Sequence, residues 1–206
     1  MKDDGVTDDQ TDQIARTEKI RFEEQIADSV TSFLLALREI AREGNGSEAV
    51  SLLLLEISQV LLAGARLGAQ TDFAPREEFQ PDVGPEADID ELRLRLADML
   101  EGVDSYTFVF DPYVPEVVES RLSDDLASIA IDLENGLRHF RAGNVEEALW
   151  WWQFSYVNNW GNLGGAALNA LLTVVAHDRF DTDFVANAAA VAVADEMLEV
   201  DPAEQP

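Results

Sequence analysis

From Ala148 to His177 the chain carries no Asp, Glu, Lys or Arg, and the run begins with three tryptophans, WWWQFSYVNNWGNLGGAALNALL over residues 150 to 172. The whole chain has a formal net charge of -27, so an uncharged interval this long needs a physical cause. The candidates are a membrane span, a ligand site, or a central helix enclosed by the rest of the fold. A helix continuing from Val145 through Ala176 turns by about 100° per residue. Trp151, Ser155, Asn158, Asn159, Asn162, Asn169, Thr173 and His177 then share one side, while Trp152, Tyr156, Trp160, Leu163, Ala167, Leu171 and Val174 gather on another. Gly161, Gly164 and Gly165 would let a neighbouring backbone approach closely.

A span is disfavoured. Several side-chain amides would each need a partner in hydrocarbon, Glu146 and Glu147 stand just before the segment, and no Lys or Arg cluster anchors either end. The remaining readings are a central helix, charge-free because it is enclosed, with asparagines bonded to loop backbone such as a proline-rich connection, and a pocket. In the pocket reading the polar side from Trp151 to His177 is the candidate ligand-binding set, with tryptophan walls excluding water.

The 206 residues and their 47% hydrophobic content suffice for one domain with a sizeable core. Asp and Glu number 41 against 14 Lys and Arg, and the only lysines are Lys2 and Lys19. Such a surface repels phosphate backbones and anionic lipid, so direct nucleic-acid or membrane binding is not expected. It suits a basic protein partner, a cation-rich medium or high solubility. Absence of cysteine removes disulfides, thiolate metal sites and cysteine nucleophiles. The start, MKDDGVTDDQTDQ, lacks the basic-then-apolar pattern of a secretory leader, and a cytoplasmic location is expected.

Helical periodicity dominates. Ile20, Ile26, Val30, Phe33, Leu34, Leu37 and Ile40 recur at three- and four-residue steps up to Gly44. Ser47 is positioned to cap a second helix through Val50, Leu53, Leu54, Ile57 and Leu61, too polar at its centre for a good span. Residues 71 to 87, with three prolines, predict a long connection; Asp88 caps a short helix through Leu92, Leu96 and Leu100. SYTFVF alternates like a strand but has no evident mate, so it reads as an extended segment pressing Tyr106, Phe108 and Phe110 onto helices, ended by Pro112 and Pro115. Ser123 starts another helix that stops near Gly143. The reading is all-α: a single-domain bundle of about six helices, with a disordered acidic tail over 1–16, a helical domain over 17–180, and a marginal C-terminal helix with an acidic tail over 181–206.

Residues 136 to 155, GLRHFRAGNVEEALWWWQFS, resemble a lone tetratricopeptide unit, with Gly143 taking a positive φ at the turn, Ala148 allowing close contact and Trp152 filling the gap between helices. His139 departs from the usual tyrosine, and no second copy follows, so an ordinary helix pair with a glycine turn is preferred. His139 and His177 are the only histidines, which excludes histidine-rich metal sites; His177-Asp178 reads as a helix C-terminus. No phosphate loop, nucleophile elbow or dinucleotide fingerprint occurs. No catalytic residue, metal ligand or cofactor is therefore assigned, and an enzyme is the minority reading.

The strings SLLLLEISQVLLAGARLGAQ, PREEFQPDVGPE, VFDPYVPEVV, SRLSDDLASIAIDL and EALWWWQFSYVNNWGNLGGAALNALLTVVAHDR are similar to the bacterial family called domain of unknown function 5063, over about residues 22 to 180. The resemblance implies a soluble, helical, cytoplasmic protein and supplies no reaction or ligand. Distant members place histidines near the Trp-Gly pair, where this chain has Asn159 and Leu163; chemistry done by those histidines would be absent here. The function expected is a non-enzymatic interaction or regulatory module with an acidic surface, nucleic-acid mimicry being a special case. The alternative is a small-ligand or metal-binding protein, with or without enzymatic activity, using the polar stripe.

Overall fold

The computed structural model describes the backbone of residues 8–75 and 89–199 and the side-chain surroundings of most residues in 16–75 and 89–180. It is a helical bundle carrying one small hairpin. Helix α1 (Asp8–Glu43) and α2 (Gly46–Gly68) run antiparallel. Then come α3 (Asp90–Met99), strands β1 (Ser105–Asp111) and β2 (Val114–Arg121), α4 (Leu122–Arg141) and α5 (Val145–Ser155). A π-helical turn over Tyr156–Trp160 joins α5 to α6 (Gly161–Glu199), so residues 145 to 199 form one continuous rod.

The core follows the periodicity. Ile26, Val30, Phe33, Leu34, Leu37 and Ile40 of α1 are buried against Val50, Leu53, Ile57, Val60 and Leu67 of α2 and against Leu126, Ile129, Leu133 and Leu137 of α4. Gly44 closes α1 through its N–H to the Ile40 carbonyl at 2.7 Å. A Cβ there would lie 2.8 Å from the Met99 sulfur and 2.9 Å from the Ala49 Cβ, so the α1–α2 corner needs glycine. Gly143 takes φ +82° at the α4–α5 turn, as its position predicts.

Helix α2 is the one described helix long and apolar enough to cross a membrane by length and composition. In the fold it lies between α1 and the rod, with Leu53, Ile57, Val60 and Leu67 buried.

Several local expectations change. Helix α1 begins at Asp8, ahead of Thr17, and takes in part of the segment expected as a disordered tail. Ser47 does not cap α2: Asn45 occupies that position, without a side-chain bond. The cap on Asp88 and most of the 71–87 connection lie outside the described residues, and α3 starts at Asp90 behind Ile89. SYTFVF does have a mate: β1 pairs antiparallel with β2, Tyr106 opposite Ser120 and Phe108 opposite Val118. Strand β2 carries no burial alternation because nearly all of its side chains are exposed, which removed the signal from VPEVVESR. Pro115, lacking an N–H, is tolerated in a hairpin whose strands each have a free edge. The C-terminal helix runs as far as Glu199, so His177 sits mid-helix and not at a helix end.

Candidate functional site

The rod has an inward and an outward side. Inward, Trp152 and Trp160 are 0% and 1% exposed. The Trp152 indole N–H donates to the Leu133 carbonyl at 2.9 Å, and its ring lies over Gly136, where a Cβ would come within 2.2 Å of the indole nitrogen. The Trp160 N–H donates to the Trp152 carbonyl at 3.3 Å. A Cβ on Gly64 of α2 would meet Trp160 and Tyr156 at 2.4 Å. Gly164 faces Leu61, whereas Gly165 has open space around it. Glycines thus let the indoles in from both flanks, α4 and α2.

Gln153 is also inward and buried. Its side-chain oxygen accepts the Phe73 N–H at 2.9 Å, and its amide donates to the Leu67 carbonyl at 2.9 Å. Among the described residues, the tie between rod and loop backbone comes from Gln153 and not from the asparagines.

The candidate ligand-binding residues do not converge. Ser155 is buried and donates to the Trp151 carbonyl at 2.6 Å. Asn158, Asn162, Asn169, Thr173 and His177 lie exposed along the outward edge. Asn158 donates to the Phe154 carbonyl at 2.8 Å and Thr173 to the Asn169 carbonyl at 2.8 Å, bonds within their own helix. Trp151 is half-buried and stacked with His139 of α4 at 6.3 Å. The segment is therefore not enclosed on all sides: an uncharged strip faces solvent. The extra residue in the π turn shifts the helical phase, so a stripe drawn at constant pitch does not hold across it.

Asn159, within that turn, is the exception. Half-buried against α4, it donates to the Asp132 carboxylate at 2.8 Å and to the Ser128 hydroxyl at 3.3 Å. Burial pushes the Asp132 carboxyl above the ordinary carboxylate range, and the Asn159 bond opposes part of that rise.

Two further clusters have little signature in the sequence. Asp104, buried ahead of β1, caps α4 from a distance: its backbone carbonyl accepts the Leu122 N–H at 2.8 Å and its carboxylate accepts the Ser123 N–H at 2.8 Å, while Arg121 pairs with it at 2.8 Å. Nothing local in the sequence links Asp104 to Ser123. Asp125 accepts the Tyr106 hydroxyl at 2.6 Å and the Ser120 hydroxyl at 2.9 Å. Burial raises the Asp125 carboxyl and lifts the Tyr106 phenol above its usual range, the bond to Asp125 adding to the latter.

Where α1 meets the α4–α5 turn, a cavity of about 420 Å³ is lined by Lys19, Glu23, Gly143, Asn144, Val145, Glu146 and Glu147. Burial raises the Glu23 carboxyl; Lys19 opposes the rise, and Glu146 and Glu24 add to it. Between α1 and α3 a second cleft of about 340 Å³ is lined in part by Arg38, Arg42 and Arg95, with Glu39 and Glu91. Among the described residues no group of three or more His, Cys, Asp and Glu is placed to hold a metal ion.

The family model described as domain of unknown function 5063 matches residues 18–177. Among solved structures, the crystal structure of protein BF1032 from Bacteroides fragilis is similar, with 21% identity and a TM-score of 0.59, over 72% of this chain and 89% of that one. At that identity the likeness concerns the fold. No curated protein matches.

Proposed function

The chain belongs to the family described as domain of unknown function 5063, and we propose that it is a cytoplasmic, non-enzymatic interaction module whose partner is a basic protein. One observation carries this reading: six of the 14 basic side chains already pair with carboxylates of the same chain. Lys19 pairs with Glu146 at 3.5 Å, Arg38 with Glu134 at 3.5 Å, Arg42 with Glu39 at 2.6 Å, Arg93 with Asp124 at 3.3 Å, Arg95 with Glu91 at 2.6 Å and Arg121 with Asp104 at 2.8 Å. With 41 acids against 14 bases, most carboxylates keep no internal counter-ion, and the long-range field attracts cationic surfaces. Nucleic-acid mimicry is the special case in which a captured partner is displaced by DNA.

The test is affinity capture from lysate at moderate salt. Reproducible basic proteins whose retention falls with added salt support the reading; a capture with no reproducible member, or with members that are not basic, overturns it. A small-ligand role is favoured by one observation, the π turn that delivers Asn159 to Asp132 and Ser128. A ligand retained in native mass spectrometry and lost in Asn159→Ala supports that role; an empty protein removes it.

A further inference from the structure

On the outward side of α5, Glu147, Trp150, Trp151 and Phe154 form one face, continued by Val157. Phe154 is 49% and Val157 62% exposed. Trp150 and Trp151 meet edge to face, centroids 5.2 Å apart at 70°, and Trp150 stacks on Phe154 at 5.2 Å and 16°. The two indoles thus form a corner. Aromatic enrichment with charge depletion is the composition of a protein interface core, here within a chain of net charge -27. A second observation sets this corner apart from the inward tryptophans. The indole N–H of Trp151 and Nδ1 of His139, the ring stacked with it, are buried without hydrogen-bond partners. Such groups cost free energy until something meets them.

The charge around the face selects the occupant. Glu147 precedes Trp150 and Trp151 by three and four residues, which puts all three on one side of the helix. Glu23 and Glu146 line the adjoining cavity, and its single basic group, Lys19, already pairs with both at 3.8 and 3.5 Å. We propose that this face docks an arginine-bearing peptide segment of a partner protein. A guanidinium lies flat against the Trp150–Trp151 corner, and a second pairs with Glu147. Arginine fits better than lysine because its planar, weakly hydrated head stacks on indole while still donating to a carboxylate. Glu147 to Val157 spans about 15 Å of helix, the reach of about five extended residues. A second copy of this acidic chain would be repelled.

The proposal rests on the basic-partner reading and locates its contact. Its test is calorimetric titration of the full chain with an octapeptide alternating glycine and arginine, beside lysine and citrulline versions. The wild type binds the arginine peptide, the lysine version more weakly and the citrulline version not at all. Trp150→Leu, Phe154→Ser and Glu147→Gln each weaken binding by about tenfold, while Glu101→Gln, the same charge change at an exposed site elsewhere, leaves it unchanged. Phe154→Ser and Glu147→Gln alter partly exposed side chains, and unchanged thermal melts show that they fold. Equal binding by these variants and by Glu101→Gln overturns the site while leaving capture of basic proteins intact. A wild type that ignores the arginine peptide overturns the site as well, and the broader reading then stands or falls by the capture alone.

Discussion

Adjacent tryptophans on one helix meet opposite surroundings. Trp152 is fully buried, its N–H satisfied by the Leu133 carbonyl and its ring received by Gly136. Trp150 and Trp151, two residues and one residue earlier, sit half-buried on the other side, and the Trp151 N–H has no partner. Residue type is the same; what differs is whether a neighbouring helix supplies a glycine and a carbonyl. Inward indoles hold the bundle together, while the outward pair keeps part of its surface open to solvent.

The comparison breaks most directly at the tryptophans themselves. Trp152→Ala is expected to cost about 4 kcal/mol of unfolding free energy, from lost burial and the cavity left behind. Trp150→Ala should cost about 1 kcal/mol or less, as at a partly exposed site. Denaturant titration of both variants checks this, and equal losses would dissolve the distinction between the faces. Next in size are the glycines: Gly136→Ala and Gly64→Ala should each cost about 3 kcal/mol by overpacking, because the new methyl would meet Trp152 at 2.2 Å or Trp160 at 2.4 Å. Gly165→Ala, with open space around it, is the matched control and should be neutral or slightly stabilising.

The inward half of this contrast was legible in the sequence and the outward half was not. Helical period places Trp152, Trp160, Ala167 and Leu171 together, and all four are buried. Gly143 at the turn and Ala148 at the helix contact are likewise legible: Gly143 takes φ +82° and Ala148 is fully buried. Absence of charge, however, does not distinguish an enclosed helix or a pocket from a solvent-facing patch; periodicity reports which residues share a side, never what covers it. The π turn was invisible as well, since inserting one residue into the helical phase needs no special residue type. Asp104 capping α4 depends on a contact between separate segments, which local patterns do not encode, and β2 lacks the burial alternation that marks a strand.

A polar inward residue sharpens the comparison further. Gln153→Leu keeps the volume and the burial but strips the partner from the Phe73 N–H and one of two donors from the Leu67 carbonyl, which keeps the Gln70 N–H. A loss of about 2 kcal/mol is expected, with faster amide exchange at Phe73 as the local signature. Asn158→Ala, which removes only a bond to its own helix, should change stability by about 0.5 kcal/mol or less. If the two losses match, the inward amide contributes no more than an outward one.

The smallest effect concerns Asp132, between the faces. Burial raises its folded pKa above the unfolded value, so the folded state binds the proton more tightly. That contribution is fully present below the unfolded carboxyl pKa and is lost as pH rises through the folded value. Asp125, Glu23 and Glu56 are raised chiefly by burial and act with the same sign. His139 acts oppositely: burial lowers its pKa, so its contribution is present above the ordinary imidazole value and disappears as pH falls through the depressed one. Melting temperature should therefore climb as pH is lowered into the range of the raised carboxyls, with loss of the His139 contribution, which sets in below the ordinary imidazole value, offsetting part of the gain. Asp132→Asn keeps an acceptor for the Asn159 amide without the buried anion. It should melt about 2 °C above wild type at neutral pH and converge with it in mild acid; parallel curves at every pH would mean that the anion between the two faces is not held at a cost.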